Sequence, residues 1–224
     1  MQNGSSVSLG VEAVRADCVF CQRNAIATNI LKETPNFRLV ADHAPLVEGH
    51  ILIMPKLHYA CYGAIPAELD AEFFALKQEA QRFLQQYYLP PTFWEHGIFH
   101  QSVFHAHVHC FPFGTLEQKQ HDLCQQLATE TVQTQDNIRA WYISKGQYFY
   151  LEPDKAFLFA PKTDDYLRIV QGIFWPKVSM LNHQKVWHSS QQRQKEGLTR
   201  IAATFAKWRM FEQQGATYAN EAST

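Results

Sequence analysis

Residues 104–111 read FHAHVHCF, which places His105, His107 and His109 on alternate positions. Side chains at i, i+2 and i+4 share one face of an extended strand, whereas a helix would send these three rings in different directions. The stretch therefore predicts a strand with one face of imidazoles. Phe104, Ala106, Val108 and Cys110 are expected on the opposite face, against a core.

Imidazole in this arrangement suits chemistry at phosphorus. It titrates near neutrality, so one ring can be neutral and nucleophilic while a neighbour is charged. A neutral ring nitrogen can attack phosphorus and form a covalent phosphoramidate. A protonated neighbour can stabilise the developing negative charge or give a proton to the leaving group. The competing readings of the row are a metal site and a run of surface histidines.

The rest of the chain fits a globular protein of 224 residues, 46% hydrophobic and 18% charged. A formal net charge of −1 gives no global field directed at nucleic acid or an anionic membrane. The start lacks a basic segment followed by an apolar run, and no stretch is apolar enough to span a membrane, so a cytoplasmic protein is expected. Five cysteines cannot all pair within the chain, and Cys18 and Cys21 form a C-x-x-C, so reduced thiols or metal ligands are expected over a disulfide framework.

Residues 38–42 and 50–55 read as strands, the second closed by Pro55. Leu69, Phe73, Leu76, Ala80, Phe83, Leu84 and Tyr87 follow three- and four-residue spacing, which predicts one amphipathic helix from Pro66 to before Pro90. Residues 92–99 suggest a strand with a bend at Gly97. The Gln-rich segment 115–137 reads equally as surface helix or linker. AWYI (140–143), QYFYLE (147–152) and AFLFAP (156–161) read as later strands, and from 164 onward the pattern is helical, with Leu198, Ile201, Ala202, Phe205 and Trp208 on the last helix. The order predicts an α+β protein: a flexible arm over 1–15, a functional unit over 16–115 and a mixed extension over 116–224.

Four blocks in register carry a resemblance to the histidine triad (HIT) family, of the bacterial type with an N-terminal C-x-x-C. They are CVFC, ADHAPLVEGHILIMPKLHY, EHGIFHQS and FHAHVHCF, spanning residues 18 to about 113. The resemblance implies an antiparallel sheet of about five strands with packed helices, often assembled as a homodimer, the extension then adding α/β structure. It implies attack on the α-phosphate of a nucleotide derivative through a covalent nucleotidyl-histidine, by a hydrolase or a nucleotidyl transferase. By position, His107 is then the nucleophile, His109 assists the leaving group, and His50 orients the triad. Gln101 and Ser102 would bind phosphate or leaving-group oxygens. Asp42 would accept from the ribose, and Phe20 and His43 would flank the base. The transferase branch carries Gln at the third triad position, so His109 favours hydrolysis.

Zinc-bearing members of that family complete a C-x-x-C with the histidine after Pro-Lys and the first triad histidine. Here the implied set is Cys18, Cys21, His58 and His105, a structural zinc being the expected cofactor; empty thiols are the competing reading. Such a zinc, fully ligated by protein, would leave no open position for a water. The chain departs from the family at Glu95, near the usual Asn position, so phosphate contacts by Asn do not carry over. His96 and His100 extend the histidine surface without an assigned role. A catalytically weak nucleotide-binding or scaffold protein on the same fold is the alternative function.

Overall fold

The structure, a computed structural model, describes residues 14–183 and 190–221; the expected arm lies almost wholly outside the described residues. The chain forms one eight-stranded sheet in the order β1-β2-β3-β5-β4-β7-β8-β6, and every pairing is antiparallel. The strands are β1 (Ile30–Glu33), β2 (Phe37–Ala41), β3 (Ile51–Pro55), β4 (Thr92–Glu95), β5 (Val108–Phe111), β6 (Glu130–Val132), β7 (Phe149–Glu152) and β8 (Ala156–Phe159). The architecture is the expected mixture of one antiparallel sheet with packed helices, but the sheet has eight strands rather than about five. The first five lie within residues 30–111, and the extension adds three to the same sheet through β4–β7 pairing. No local periodicity signals that join, because backbone pairing between distant segments leaves no mark on either segment's pattern.

Helix α1 (Arg23–Ile26) follows the C-x-x-C, and α2 (Asp70–Tyr87) is the predicted amphipathic helix, burying Phe73, Leu76, Ala80, Phe83 and Leu84. The undecided segment 115–137 resolves into α3 (Gln118–Leu127), β6 and the start of α4 (Gln135–Lys145). AWYI therefore belongs to a helix and not to a strand. The ends of α4 explain why: Thr134 and Asn137 form a reciprocal cap at its N-terminus, and Gly146 takes φ +82° after its last turn. These terminal signals outweigh the strand propensity of Trp141, Tyr142 and Ile143. The remaining helices are α5 (Thr163–Ile169), α6 (Trp175–Leu181) and α7 (Ser190–Glu221), with a π-helical turn over Val170–Phe174.

That π turn has a local cause. Pro176 has no N–H to give the carbonyl four residues back, and its ring crowds that carbonyl. The carbonyl of Gly172 instead accepts from Gln120 Nε2 at 3.2 Å, so α3 supplies the missing donor.

The sheet separates its cores by face. One face carries Phe37, Leu39, Ile51, Ile53, Phe93, Val108 and Cys110 against α2, α4 and Trp208 of α7. The other face holds two smaller cores. Trp94, Phe111, Phe149, Leu151 and Phe159 pack under α5, the π turn and α6, whereas Val40, Leu52 and Met54 pack under Phe20 and the C-x-x-C. Cross-strand register gives the row Val40–Leu52–His109–Trp94–Leu151 on this second face. His109 thus sits between the two smaller cores. Among the described residues, no helix is long and apolar enough to cross a membrane.

Candidate active site

The triad is only partly a strand. Regular pairing begins at Val108, so His107 lies just before β5 and His105 lies in a bend. Ala106, Val108 and Cys110 are buried as expected, but Phe104 is 61% exposed and does not face the core. Turning out of the strand sends the three rings to three different neighbours, which strict alternation would not allow.

His105 turns to the C-x-x-C. Its Nδ1 lies 3.5 Å from Sγ of both Cys18 and Cys21, and His58 Nδ1 lies 3.5 Å from Cys21 Sγ. All four side chains are buried, with their donor atoms within 4.8 Å of one another. A tetrahedral ion with ordinary zinc–sulfur and zinc–nitrogen bonds would hold such S···N pairs roughly 3.6 Å apart, so the donor spacing fits zinc. The outer partner fits as well. His105 Nε2 donates to the Pro55 carbonyl at 2.9 Å, which fixes the tautomer and leaves Nδ1 as a bare lone pair facing the sulfurs. Cys61, Cys110 and Cys124 are buried elsewhere, and none of the five cysteines is in a disulfide.

His107 is 5% exposed and packs edge-on against Phe20 at 5.2 Å and against His109 at 4.8 Å. Its Nδ1 donates to the His105 carbonyl at 2.6 Å, which leaves Nε2 unprotonated. Burial pushes its pKa below the ordinary value, so the ring is neutral near pH 7.

His109 Nδ1 lies 3.0 Å from His50 Nε2, and their rings stack at 5.2 Å; His50 also stacks on Phe111 at 4.1 Å. Asp42 Oδ2 is 3.7 Å from the same His50 nitrogen, while the other nitrogen, Nδ1, is buried and has no hydrogen-bond partner among the described residues. A buried orphan N–H is rarer than an orphan acceptor, and a nearby carboxylate favours an N–H facing it. Both arguments put the His50 proton on Nε2, donating to His109 Nδ1, so that His109 carries its own proton on Nε2. Burial holds His50 down at about 4, with the Asp42 charge opposing, and His109 well below the ordinary range.

Asp42, His50, Ser102 and His109 line a cleft of about 310 Å³, and His107 is buried behind it, edge-on to His109. The other expected residues are placed differently. Gln101 is buried, with its amide oxygen accepting from Ile98 N–H at 3.0 Å and its amide nitrogen donating to the His105 carbonyl at 2.7 Å, so it braces the loop from within. His43 is 79% exposed in its side chain and reaches Asp42 at 3.7 Å. Phe20 lies under His107 rather than at the surface. The braced loop is strained: Ile98 takes φ 77° and His100 φ 57°, a conformation that a β-branched residue adopts only when held. Beside them Gly97 takes φ +53°, and a Cβ there would lie 2.4 Å from the Tyr148 ring.

Glu95, the departure from the family pattern, does not reach the histidines. It is buried on the opposite face, accepting from Tyr62 N–H at 2.9 Å and from the Tyr148 hydroxyl at 2.6 Å. Residues that the sequence reading did not assign complete the cleft: His96, which packs edge-on against His109 at 5.8 Å, and Tyr166, Phe174 and Trp175 from the extension. The run IFWP at 173–176 is the sequence signal that could have marked the last two, since an aromatic pair before a helix-distorting proline is a poor choice for a plain surface helix.

A family profile described as HIT domain matches residues 23–115. Among curated proteins, adenosine 5'-monophosphoramidase HNT1 of Saccharomyces cerevisiae is 34% identical over 107 residues, 43% of this chain and 63% of that protein. The chain thus spans less than two thirds of that relative's length. Among solved structures, a HIT family protein from Bacillus anthracis is 19% identical, with 58% of this chain and 96% of the other covered and a TM-score of 0.41. A Zn-bound histidine triad family protein from Mycobacterium smegmatis is 24% identical, with 57% and 94% covered and a TM-score of 0.38.

Proposed function

We propose, from the premise that residues 23–115 are a HIT domain, that this protein hydrolyses nucleoside 5'-phosphate derivatives at the α-phosphorus through a covalent nucleotidyl-His107. The observation that carries the reading is the 2.6 Å bond from His107 Nδ1 to the His105 carbonyl, which leaves a neutral Nε2 lone pair as nucleophile. Nε2 attacks phosphorus, and the bond from phosphorus to the leaving group breaks. The Nε2–H of His109 hydrogen-bonds the departing atom, which takes its proton from water, and the His50 Nε2–H stays hydrogen-bonded to His109 Nδ1 and holds that tautomer. Water then attacks phosphorus, the N–P bond breaks, and the nucleoside monophosphate leaves. In this reading Asp42 and Ser102, which both line the cleft, hold the ribose and donate to the phosphate respectively. The yeast relative's name, a monophosphoramidase, supports an N–P bond as the one broken.

In the same reading Cys18, Cys21, His58 and His105 hold zinc, which when bound supplies structural rigidity. It ties the N-terminal hook to the residue whose carbonyl orients His107. Residues 16–115 act as the catalytic unit and 116–224 as an extension that completes its sheet. A cytoplasmic setting is supported by five cysteines without a disulfide. A homodimer, if formed through a sheet edge, uses one other than the outer edge of β4, which β7 occupies.

The near-complete burial of His107 favours one second reading, a nucleotide-binding protein with little turnover. Rapid quench of the protein with adenosine 5'-phosphoramidate separates the two. A covalent adduct that forms and decays at the rate of product release supports hydrolysis, and tight binding without an adduct supports the second reading.

A further inference from the structure

The extension reaches the catalytic cleft itself. Asp42, His50 and His109 line the cleft, and Tyr166, Val170, Phe174 and Trp175 of the extension wall it with them. The wall is built, not incidental. Tyr166 stacks on His100 at 4.8 Å and meets Phe149 edge-on at 5.5 Å. Phe174 meets Phe111 edge-on at 5.2 Å and Trp94 at 5.6 Å. Trp175 packs edge-on against Phe174 at 5.3 Å yet remains 49% exposed at the rim.

The π turn matters to where these rings point. One extra residue in a helical turn rotates everything after it by about 100° relative to a plain α-helix. Pro176 and the Gln120 bond to Gly172 hold that turn directly beside the cleft. π turns recur at functional sites for this reason.

The chemistry of the lining limits what can lie against the wall. Among the described residues that line the cleft there is no lysine or arginine, and Asp42 is the one carboxylate. Burial holds His96 down at about 4, so its ring adds no positive charge near neutrality. A polyphosphate tail would find no cationic partner among these described residues. A flat uncharged ring would find the rings of Tyr166 and Phe174 and the half-exposed indole of Trp175, and aromatic rings attract one another beyond the area they bury. If the nucleoside lies at Asp42, the group leaving phosphorus past His109 meets this wall.

We propose that the C-terminal extension forms the leaving-group subsite, with Phe174 and Trp175 selecting substrates whose leaving group carries an uncharged aromatic ring over those with a polyphosphate tail. The inference rests on the hydrolase reading only for the direction in which the leaving group departs; the subsite itself is a matter of binding.

The test is calorimetric titration of the full chain in a His107→Asn background, which prevents turnover. The ligands are AMP, an AMP phosphoramidate bearing an indolylethyl group on nitrogen, and diadenosine tetraphosphate. The expected result is at least tenfold tighter binding of the indolylethyl conjugate than of AMP, and no comparable gain for the tetraphosphate. Trp175→Ala, and separately Phe174→Leu, should cut the gain to threefold or less. A gain below twofold, a tetraphosphate that binds most tightly, or a gain left intact in both variants would overturn the proposal. Turnover of the conjugate by the chain with His107 restored is scored separately. Aromatic gain without turnover supports the subsite and defeats the hydrolase reading; turnover without aromatic gain does the reverse.

Discussion

The carbonyl oxygen of His105 accepts a 2.6 Å hydrogen bond from Nδ1 of His107, while the His105 ring faces Cys18 and Cys21. One residue thus joins the metal-type cluster to the candidate nucleophile, through its side chain on one side and its backbone on the other. Disturbing the cluster should therefore reach catalysis. Wild type is expected to carry one zinc per chain by elemental analysis. Cys21→Ser should lose most of it, lower the melting temperature by about 5–10 °C, and reduce kcat by about tenfold or more with a smaller change in KM. A zinc-free wild type with unchanged melting behaviour would contradict the assignment.

In the proposed mechanism His50 acts through His109 rather than on substrate. Its Nε2 proton sets the His109 tautomer, and Phe111 stacks on its ring at 4.1 Å. His50→Phe keeps the stack and removes the proton. We expect kcat to fall about 10²-fold with KM changed little, most severely for substrates with poor leaving groups. Equal losses for good and poor leaving groups would show that the residue serves packing alone.

Glu95 should give the fold a pH dependence of its own. Burial pushes its carboxyl up to about 7 from an ordinary 4.5, against the hydrogen bonds from Tyr148 and Tyr62. The folded state then binds a proton that the unfolded state releases between those two values. The stabilisation is complete below about 4.5 and is lost as pH rises through about 7, on the order of 3 kcal/mol in all. In Glu95→Gln the carbonyl still accepts from Tyr62, and the group no longer titrates. Urea midpoints of wild type relative to the variant should fall between pH 5 and 8. Parallel curves for the two proteins would dismiss the effect.

Trp208 joins the last helix to the N-terminal unit: it is 1% exposed and packs on Phe83 of α2 at 5.0 Å. Its indole nitrogen has no hydrogen-bond partner among the described residues. Trp208→Ala should therefore lower stability by about 3–5 kcal/mol, measured by denaturant unfolding. Trp208→Phe keeps most of the contact and removes the orphan donor, and should lie within about 1–2 kcal/mol of wild type. Similar losses in both variants would mean that cavity volume alone decides.

Much of the N-terminal unit was legible because its signals are local. The spacing of Phe73, Leu76, Ala80 and Phe83 predicts α2, and Pro55 closes β3. Other features depend on distant partners. Phe104 escapes the alternation because His105 is drawn toward the cysteines and the chain leaves the strand there. The segment 140–143 has strand-forming residues, but the caps at Thr134 and Gly146 make it helix. The extension's part in the cleft was not readable at all, since Tyr166 and Trp175 meet His96 and His109 only after β7 pairs with β4.

The central claim is that His107 Nε2 attacks phosphorus. The most direct measurement is intact-mass and peptide analysis of wild type quenched in alkaline denaturant during turnover of adenosine 5'-phosphoramidate. The account predicts one adenylyl group per chain, mapped to His107, appearing within one turnover time and absent from His107→Ala. Steady turnover with no adduct at any quench time, or an adduct on another residue that survives in His107→Ala, would contradict it.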